Sequence, residues 1–181
     1  PTLFDGTMKY NLDPHGKHSD TFLWSCLEKC QLKSVVEKTG LGLMAVVAVG
    51  GLNWSVGQRQ LICLARALAA RAKVLVLDEC SASVDKETDD MLQEMIRREF
   101  AECTVLTIAH RLETVIHCDQ VMVLEKGKVV EYGAPEVLRR KDGSMFQQLW
   151  MQQKESSTKS NTSSSDGSTC RNKYNYIYIF F

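Results

Sequence analysis

A polar turn, Asn53-Trp54-Ser55-Val56-Gly57-Gln58, runs directly into an amphipathic segment and then into an apolar run that ends in two acids. No other stretch constrains the fold as tightly. Ser55 and Gln58 stand three positions apart as a capping-box pair, so a helix is predicted to begin here. Leu61, Leu64, Ala65 and Leu68 follow at the i, i+3, i+4, i+7 spacing of one helix face. Val74-Leu75-Val76-Leu77 is short, continuous and apolar, which predicts a strand buried on both faces, as in a parallel sheet.

The rest of the chain repeats this alternation. Ser19 and Asp20 are predicted to cap a helix with Leu23, Leu27 and Cys30 inward. A glycine-rich stretch spans Gly40 to Gly51. Asp85 is predicted to cap a helix burying Met91, Leu92, Met95 and Ile96. Thr104–Ile108 and Val121–Leu124 read as further strands. Glu125-Lys126-Gly127-Lys128 reads as a tight turn into Val129–Tyr132, forming a hairpin. Pro135 fits the first position of another helix. Strands alternating with helices define an α/β class with a mainly parallel sheet.

Composition narrows the functional classes. The formal net charge is zero, so neither nucleic acid nor an anionic membrane surface is expected as a partner. Seven cysteines form no Cys-x-x-Cys pair, which predicts reduced thiols acting as small buried hydrophobes in a cytosolic setting. No window approaches the ~20 apolar residues of a membrane span. Pro1-Thr2-Leu3-Phe4 reads as the interior of a longer chain. Residues 1–153 are expected to fold, and 154–181 to form a tail. Within that tail, Ser156–Thr169 is Ser/Thr-rich and predicted disordered. Its last stretch, Tyr174–Phe181, is β-prone and uncharged. It is read as a chance extension past the natural end, with edge-strand pairing or aggregation as alternatives.

Three places carry candidate chemistry. Asp78 and Glu79 end an apolar strand, where α/β folds bind ligands. In nucleotide hydrolases the first such acid holds Mg²⁺ and the second orients or deprotonates water; on their own, two acids also simply begin a loop. His110 follows the Thr104–Ile108 strand and emerges at the same sheet edge if the two strands are neighbours. A loop histidine with ordinary partners is the plainer reading. The helix mouth at Ser55–Gln58 is a cap first. It also offers free N–H groups, about half a positive charge, and a backbone left unshielded at Gly57.

Taken in order, these pieces resemble the nucleotide-binding domain of ATP-binding-cassette (ABC) proteins. W-S-V-G-Q resembles the signature loop, V-L-V-L-D-E the Walker B strand, S-A-S-V-D the D-loop and I-A-H-R-L the switch histidine. P-T-L-F-D-G-T-M-K-Y-N-L-D-P and S-V-G-Q-R-Q-L-I-C-L-A-R-A-L are similar to the multidrug-resistance-associated (C) subfamily. Val56 in the signature, together with Glu79, resembles the second of that subfamily's two unequal cassettes.

The resemblance implies an incomplete P-loop NTPase-like domain with helices on both faces of the sheet and a signature-helix subdomain. It implies ATP and Mg²⁺ as cofactors, with Asp78 on the metal, Glu79 and His110 catalytic, and Ser55, Val56, Gly57, Gln58 and Asp85 at the nucleotide. It implies head-to-tail pairing with a first nucleotide-binding domain, and transmembrane domains that export organic anions or conjugates. The place would be the cytoplasmic face of a membrane.

Trp54 and Cys80 depart from the family's usual Leu or Phe and Ala, which predicts repacking. No G-x-x-x-x-G-K-[ST] motif occurs in the 181 residues, nor does the Q-loop glutamine. Residues 1–181 by themselves are therefore expected to be inactive and to melt without sharp cooperativity. Two other readings stay open: an inactive truncated remnant, and a soluble ABC ATPase without a transport role.

Overall fold

The computed structural model describes residues 2–78, 86–108, 115–116, 118–158 and 175–180. The chain divides into two units, residues 1–73 with 80–101 and residues 74–79 with 102–181.

The first unit is mainly helical. Two short strands, β1 (Gly6–Thr7) and β2 (Val46–Val47), pair antiparallel. Around them lie α1 (Met8–Leu12), α2 (Asp20–Lys29), α3 (Lys33–Glu37), α4 (Val56–Ala69) and α5 (Lys86–Glu99). Ser19 caps α2 as its sequence predicts, its hydroxyl accepting from the Phe22 N–H at 3.3 Å. Leu23, Leu27 and Cys30 are fully buried. Helix α4 begins two residues before Gln58, and Leu61, Ile62, Leu64, Ala65 and Ala69 form its inward stripe. Leu92, Met95 and Ile96 of α5 are buried with the following Phe100. Asp85, the predicted cap of α5, lies outside the described residues.

Two polar clusters fasten this unit. Arg66 of α4 donates from Nε to the Asn11 carbonyl at 2.6 Å, from Nη2 to Asn11 Oδ1 at 2.9 Å, and from Nη1 to the Thr2 carbonyl at 3.1 Å. Its guanidinium also stacks over the Phe4 ring at 4.6 Å. Asn11 is fully buried, and its amide donates onward to the Phe4 and Thr7 carbonyls. The second cluster joins α5 to α2. Glu99 accepts from Lys29 at 2.9 Å and from Arg98 at 2.8 Å. Burial raises the Glu99 pKa, but the hydrogen bonds from these two cations outweigh it and hold the carboxyl below its ordinary range.

The second unit is built on a five-stranded sheet. Its strands are β3 (Val74–Asp78), β4 (Thr104–Ile108), β5 (Gln120–Glu125), β6 (Lys128–Gly133) and β7 (Asn175–Phe180), in the order β3-β4-β7-β5-β6. All neighbours are parallel except the β5–β6 hairpin. That hairpin turns on Lys126 and Gly127, both at positive φ (49° and 74°), which suits the right-handed twist of the strands it joins.

The sheet departs from expectation in two places. Leu75 and Leu77 are buried, but Val74 and Val76 are 55% and 63% exposed, so β3 is not buried on both faces. The alternation follows from the two-residue period of a strand at the end of the sheet, where one face lies open. The second difference is the C-terminal stretch. Residues 175–180 take an interior place between β4 and β5 rather than an edge. Three of the predicted buried thiols, Cys26, Cys30 and Cys118, are buried, and Cys63 and Cys103 are half-buried.

Two helices complete this unit, α6 (Pro135–Arg140), opened by Pro135 as predicted, and α7 (Met145–Thr158). Glu131 of β6 supplies the N-terminal anchor of α7. Its carboxylate accepts from the backbone N–H groups of Met145 (2.9 Å) and Phe146 (3.0 Å) and from the Ser144 hydroxyl (2.9 Å). Burial raises the Glu131 pKa, and these donors more than reverse that, lowering it from 4.5. A carboxyl with a depressed folded-state pKa adds stability above its unfolded pKa and loses it as pH falls through the folded one. Urea unfolding followed at pH 7 and in the acid range below 4.5 is therefore expected to show a fall in midpoint that Glu131→Gln reduces. At pH 7 that substitution is expected to destabilise by about 1–2 kcal/mol, in the range of a lost helix cap.

Candidate functional site at a helix mouth and a strand end

The mouth of α4 is built by local hydrogen bonding. Ser55 sits in extended backbone (φ −62°, ψ 162°), and its Oγ accepts from the Gln58 N–H at 3.2 Å. The Gln58 side chain closes the box by accepting from the Ser55 N–H at 3.0 Å. The first N–H to bond back along the helix is that of Arg59, to the Ser55 carbonyl at 2.9 Å. That leaves the N–H groups of Val56 and Gly57 as the ones helix geometry cannot satisfy. Ser55 itself is exposed, and Val56, Gly57 and Gln58 are half-buried. The Ser55 hydroxyl accepts inside the box and keeps its own proton to donate outward.

The preceding loop holds this mouth in place. Asn53 Oδ1 accepts from the Ala48 N–H at 2.9 Å, and its amide donates to the Val46 carbonyl at 2.8 Å. Trp54 is buried, with its indole N–H on the same Val46 carbonyl at 3.3 Å. The tryptophan noted as a departure thus fills a packing role with its polar end satisfied. Arg59 reaches back to the Gly50 carbonyl at 3.3 Å. Gly51 has φ +70°, and a Cβ there would stand 2.6 Å from Leu3 Cδ1, so a side chain is excluded. In the turn that precedes α4 in sequence, Val49 and Leu52 are 70% and 81% exposed.

The second candidate place is the C-terminal end of β3. Asp78 is exposed and pairs in register with Ile108 of the parallel neighbour β4. The two strands therefore end level with each other. Glu79 follows Asp78 in sequence and His110 comes two positions after Ile108, and both residues lie outside those described. The helix mouth belongs to the first unit and Asp78 to the second. Among the described residues, no group of three or more His, Cys, Asp or Glu side chains is arranged to hold a metal ion.

Asn53, Arg59 and Arg66 escaped sequence reading. Asn53 precedes the cap and is a turn-former, a local signal that was available. Arg59 and Arg66 act on backbone carbonyls elsewhere in the fold, which no spacing rule announces.

A capped helix mouth in one unit and, in the other, a parallel strand that ends in an acid fit the class named from the motifs. Residues 5–82 match the ABC transporter family, and the chain belongs to it. Over 150 residues it is 52% identical to a probable multidrug resistance-associated protein, lethal(2)03659, of Drosophila melanogaster, covering 82% of this chain and 11% of that protein. It is also 52% identical over 146 residues to ATP-binding cassette sub-family C member 2 of Rattus norvegicus (81% and 10%). A third relative is ABC transporter C family member 13 of Oryza sativa subsp. japonica, 53% identical over 149 residues (82% and 10%).

The chain thus spans about a tenth of the length of these relatives. A solved structure of a bacterial Atm1-family ABC exporter with ATP bound is similar at a TM-score of 0.75 and 25% identity. The match covers 91% of this chain and 28% of that one. No helix among the described residues is long and apolar enough to cross a membrane.

The capping box generates a quantitative expectation. Ser55→Ala should cost about 1 kcal/mol of stability, and Ser55→Asp, which can still cap, much less. Hydrogen exchange at Arg59, the first amide of the helical ladder, should quicken in Ser55→Ala. Unchanged exchange there would show that Ser55 is not the cap in solution.

Proposed function

We propose that this chain is the later part of the second ATP-binding cassette of a C-subfamily exporter, and that the α4 mouth is a phosphate clamp. The observation that carries this reading is the capping box of Ser55 and Gln58, which leaves the Val56 and Gly57 N–H groups and the Ser55 hydroxyl as outward donors. Three donors at the positive end of a fourteen-residue helix suit the oxygens of a polyphosphate.

The two candidate places then divide the work. Asp78, exposed at the end of a parallel strand, suits a Mg²⁺ ligand. Glu79 would activate water, and His110 would donate to the γ-phosphate. Ser55, Val56, Gly57 and Gln58 would clamp the ATP held by the first cassette, with Asp85 at the interface between cassettes. Exposed Val49 and Leu52, in the turn preceding α4, are apolar surface that assembly would cover. The cofactor supplies the phosphoryl bond whose binding and cleavage drive closing and reopening. Transmembrane domains would couple those movements to outward passage of organic anions or conjugates, placing this cassette on the cytoplasmic face of a membrane. Similarity to C-subfamily proteins and to a solved ABC exporter supports this reading.

ATP hydrolysis provides the test. In the intact transporter, Glu79→Gln is expected to retain ATP binding and lose at least ~100-fold in turnover, the scale of a lost general base. Residues 1–181 alone are expected to show none, because positioning of the phosphates is shared with a motif that these residues do not contain. Turnover by residues 1–181 that disappears in Glu79→Gln would overturn that division of labour.

A further inference from the structure

Residues 2–12 touch α4 near its C-terminal end and also touch the loop that leads into its mouth. At the far end Arg66 holds the Thr2 and Asn11 carbonyls and Asn11 Oδ1. One turn earlier on the same face, Cys63 Sγ donates to the Thr2 carbonyl at 3.8 Å. On the loop side Leu3 is buried against Gly51, where a Cβ would also meet Arg59 Cδ at 3.0 Å. Thr7 of β1 pairs with Val46 of β2, and the Met8 N–H donates to the Ala45 carbonyl at 2.9 Å. The Val46 carbonyl then carries the Asn53 amide and the Trp54 indole.

These bonds close a circuit from one end of the helix to the other. Asn11 is its central member. Its Oδ1 accepts from the Phe4 N–H (2.9 Å) and from Arg66 (2.9 Å), and its amide donates to the Phe4 (2.9 Å) and Thr7 (3.1 Å) carbonyls. Both lone pairs and both hydrogens of this buried side chain are used, so it cannot turn without stranding a partner. From Thr7 the circuit crosses β1–β2 to Val46 and reaches Asn53 and Trp54, the two residues before Ser55. The capping box needs none of this, because Ser55 and Gln58 satisfy each other locally. The cap makes the helix start, and the circuit fixes where that start stands.

We propose that Arg66 and Asn11 are positioning residues for the α4 mouth. They act through Thr7, Val46, Asn53 and Trp54 to hold the Val56 and Gly57 N–H groups where a polyphosphate meets them. Their role rests on the phosphate-clamp reading, which it deepens.

Two measurements on the intact transporter test it: hydrogen exchange across residues 46–59, and closure of the cassettes by spin-label distances in an ATP titration. Arg66→Lys keeps the charge and loses the planar fork. It should quicken exchange at Ala48 and Gln58, whose N–H groups bond to Asn53 Oδ1 and Ser55 Oγ. It should also raise the ATP concentration for half-closure about tenfold, the scale of one lost charged hydrogen bond. A purely structural loss would lower the share of molecules able to close and leave that concentration unmoved. Glu131→Gln, which loosens the start of α7, is the control for such a loss and should leave it unmoved. Phe4→Leu, which removes only the ring stacked on Arg66, should give a smaller shift in the same direction and serves if Arg66→Lys does not fold. Trp54→Phe cuts the other end of the circuit. Distant positions ordinarily contribute additively, but either of these variants combined with Trp54→Phe should shift half-closure no further than the larger single effect. Additive shifts, or unchanged exchange across 46–59, would overturn the circuit and with it the proposal. Quickened exchange with an unmoved half-closure concentration would leave the circuit standing and overturn the phosphate role it is proposed to serve.

Discussion

The guanidinium of Arg66 reaches a segment 55 residues earlier in the chain and satisfies two backbone carbonyls and the Asn11 side chain there. Hydrogen bonds from a charged donor contribute about 1.5–3 kcal/mol each when well made. Three from one planar group also fix orientation, which a lysine could not reproduce. The consequence is structural first. α4 is tied near its C-terminal end to the N-terminal segment, while its N-terminal end is fixed by the loop that Asn53 and Trp54 organise around Val46. A helix held at both ends presents its mouth in one direction. In the proposed phosphate role, the Val56 and Gly57 donors would serve only because that direction is set.

A different kind of constraint governs the sheet. β3 and β4 are parallel and in register, so residues that leave their ends start from one level. Asp78 therefore stands at the edge from which the chain continues to Glu79, and Ile108 at the edge from which it continues to His110. The hairpin and α7 on the other side are joined by a single carboxylate. Glu131 gathers three donors, two of them backbone amides at the start of α7.

What could be read from the sequence was local. The Ser55–Gln58 box, the Ser19 cap, the Lys126-Gly127 turn and Pro135 at a helix start are short-range devices, and each carries its signal within four residues. Core stripes on α2, α4 and α5 followed from helical period, except that Leu68 and Met91, expected inward, are only half-buried. The misjudged features are non-local. Whether both faces of Val74–Asp78 are covered depends on what packs there, not on the strand's own four apolar residues. The role of Glu131 emerges only when Ser144–Phe146 are brought beside it. Nothing in Tyr174–Phe181 says whether such a stretch takes an edge or an interior place. The motif order names a candidate site as a set of positions. Asp85, Glu79 and His110 fall outside the described residues, so their arrangement rests on the family resemblance.

The central claim is that the mouth of α4 holds phosphate, and a single position separates that role from capping. An aspartate in the first turn favours the helix dipole but repels a polyphosphate. Gly57→Asp in the intact transporter should therefore leave α4 as stable as before, by hydrogen exchange, and abolish ATP-driven closure of the two cassettes, measured by spin-label distances between them. Gly57→Ala, which adds a methyl group but no charge, should weaken closure far less. Closure that persists in Gly57→Asp at the same ATP concentration would contradict the account.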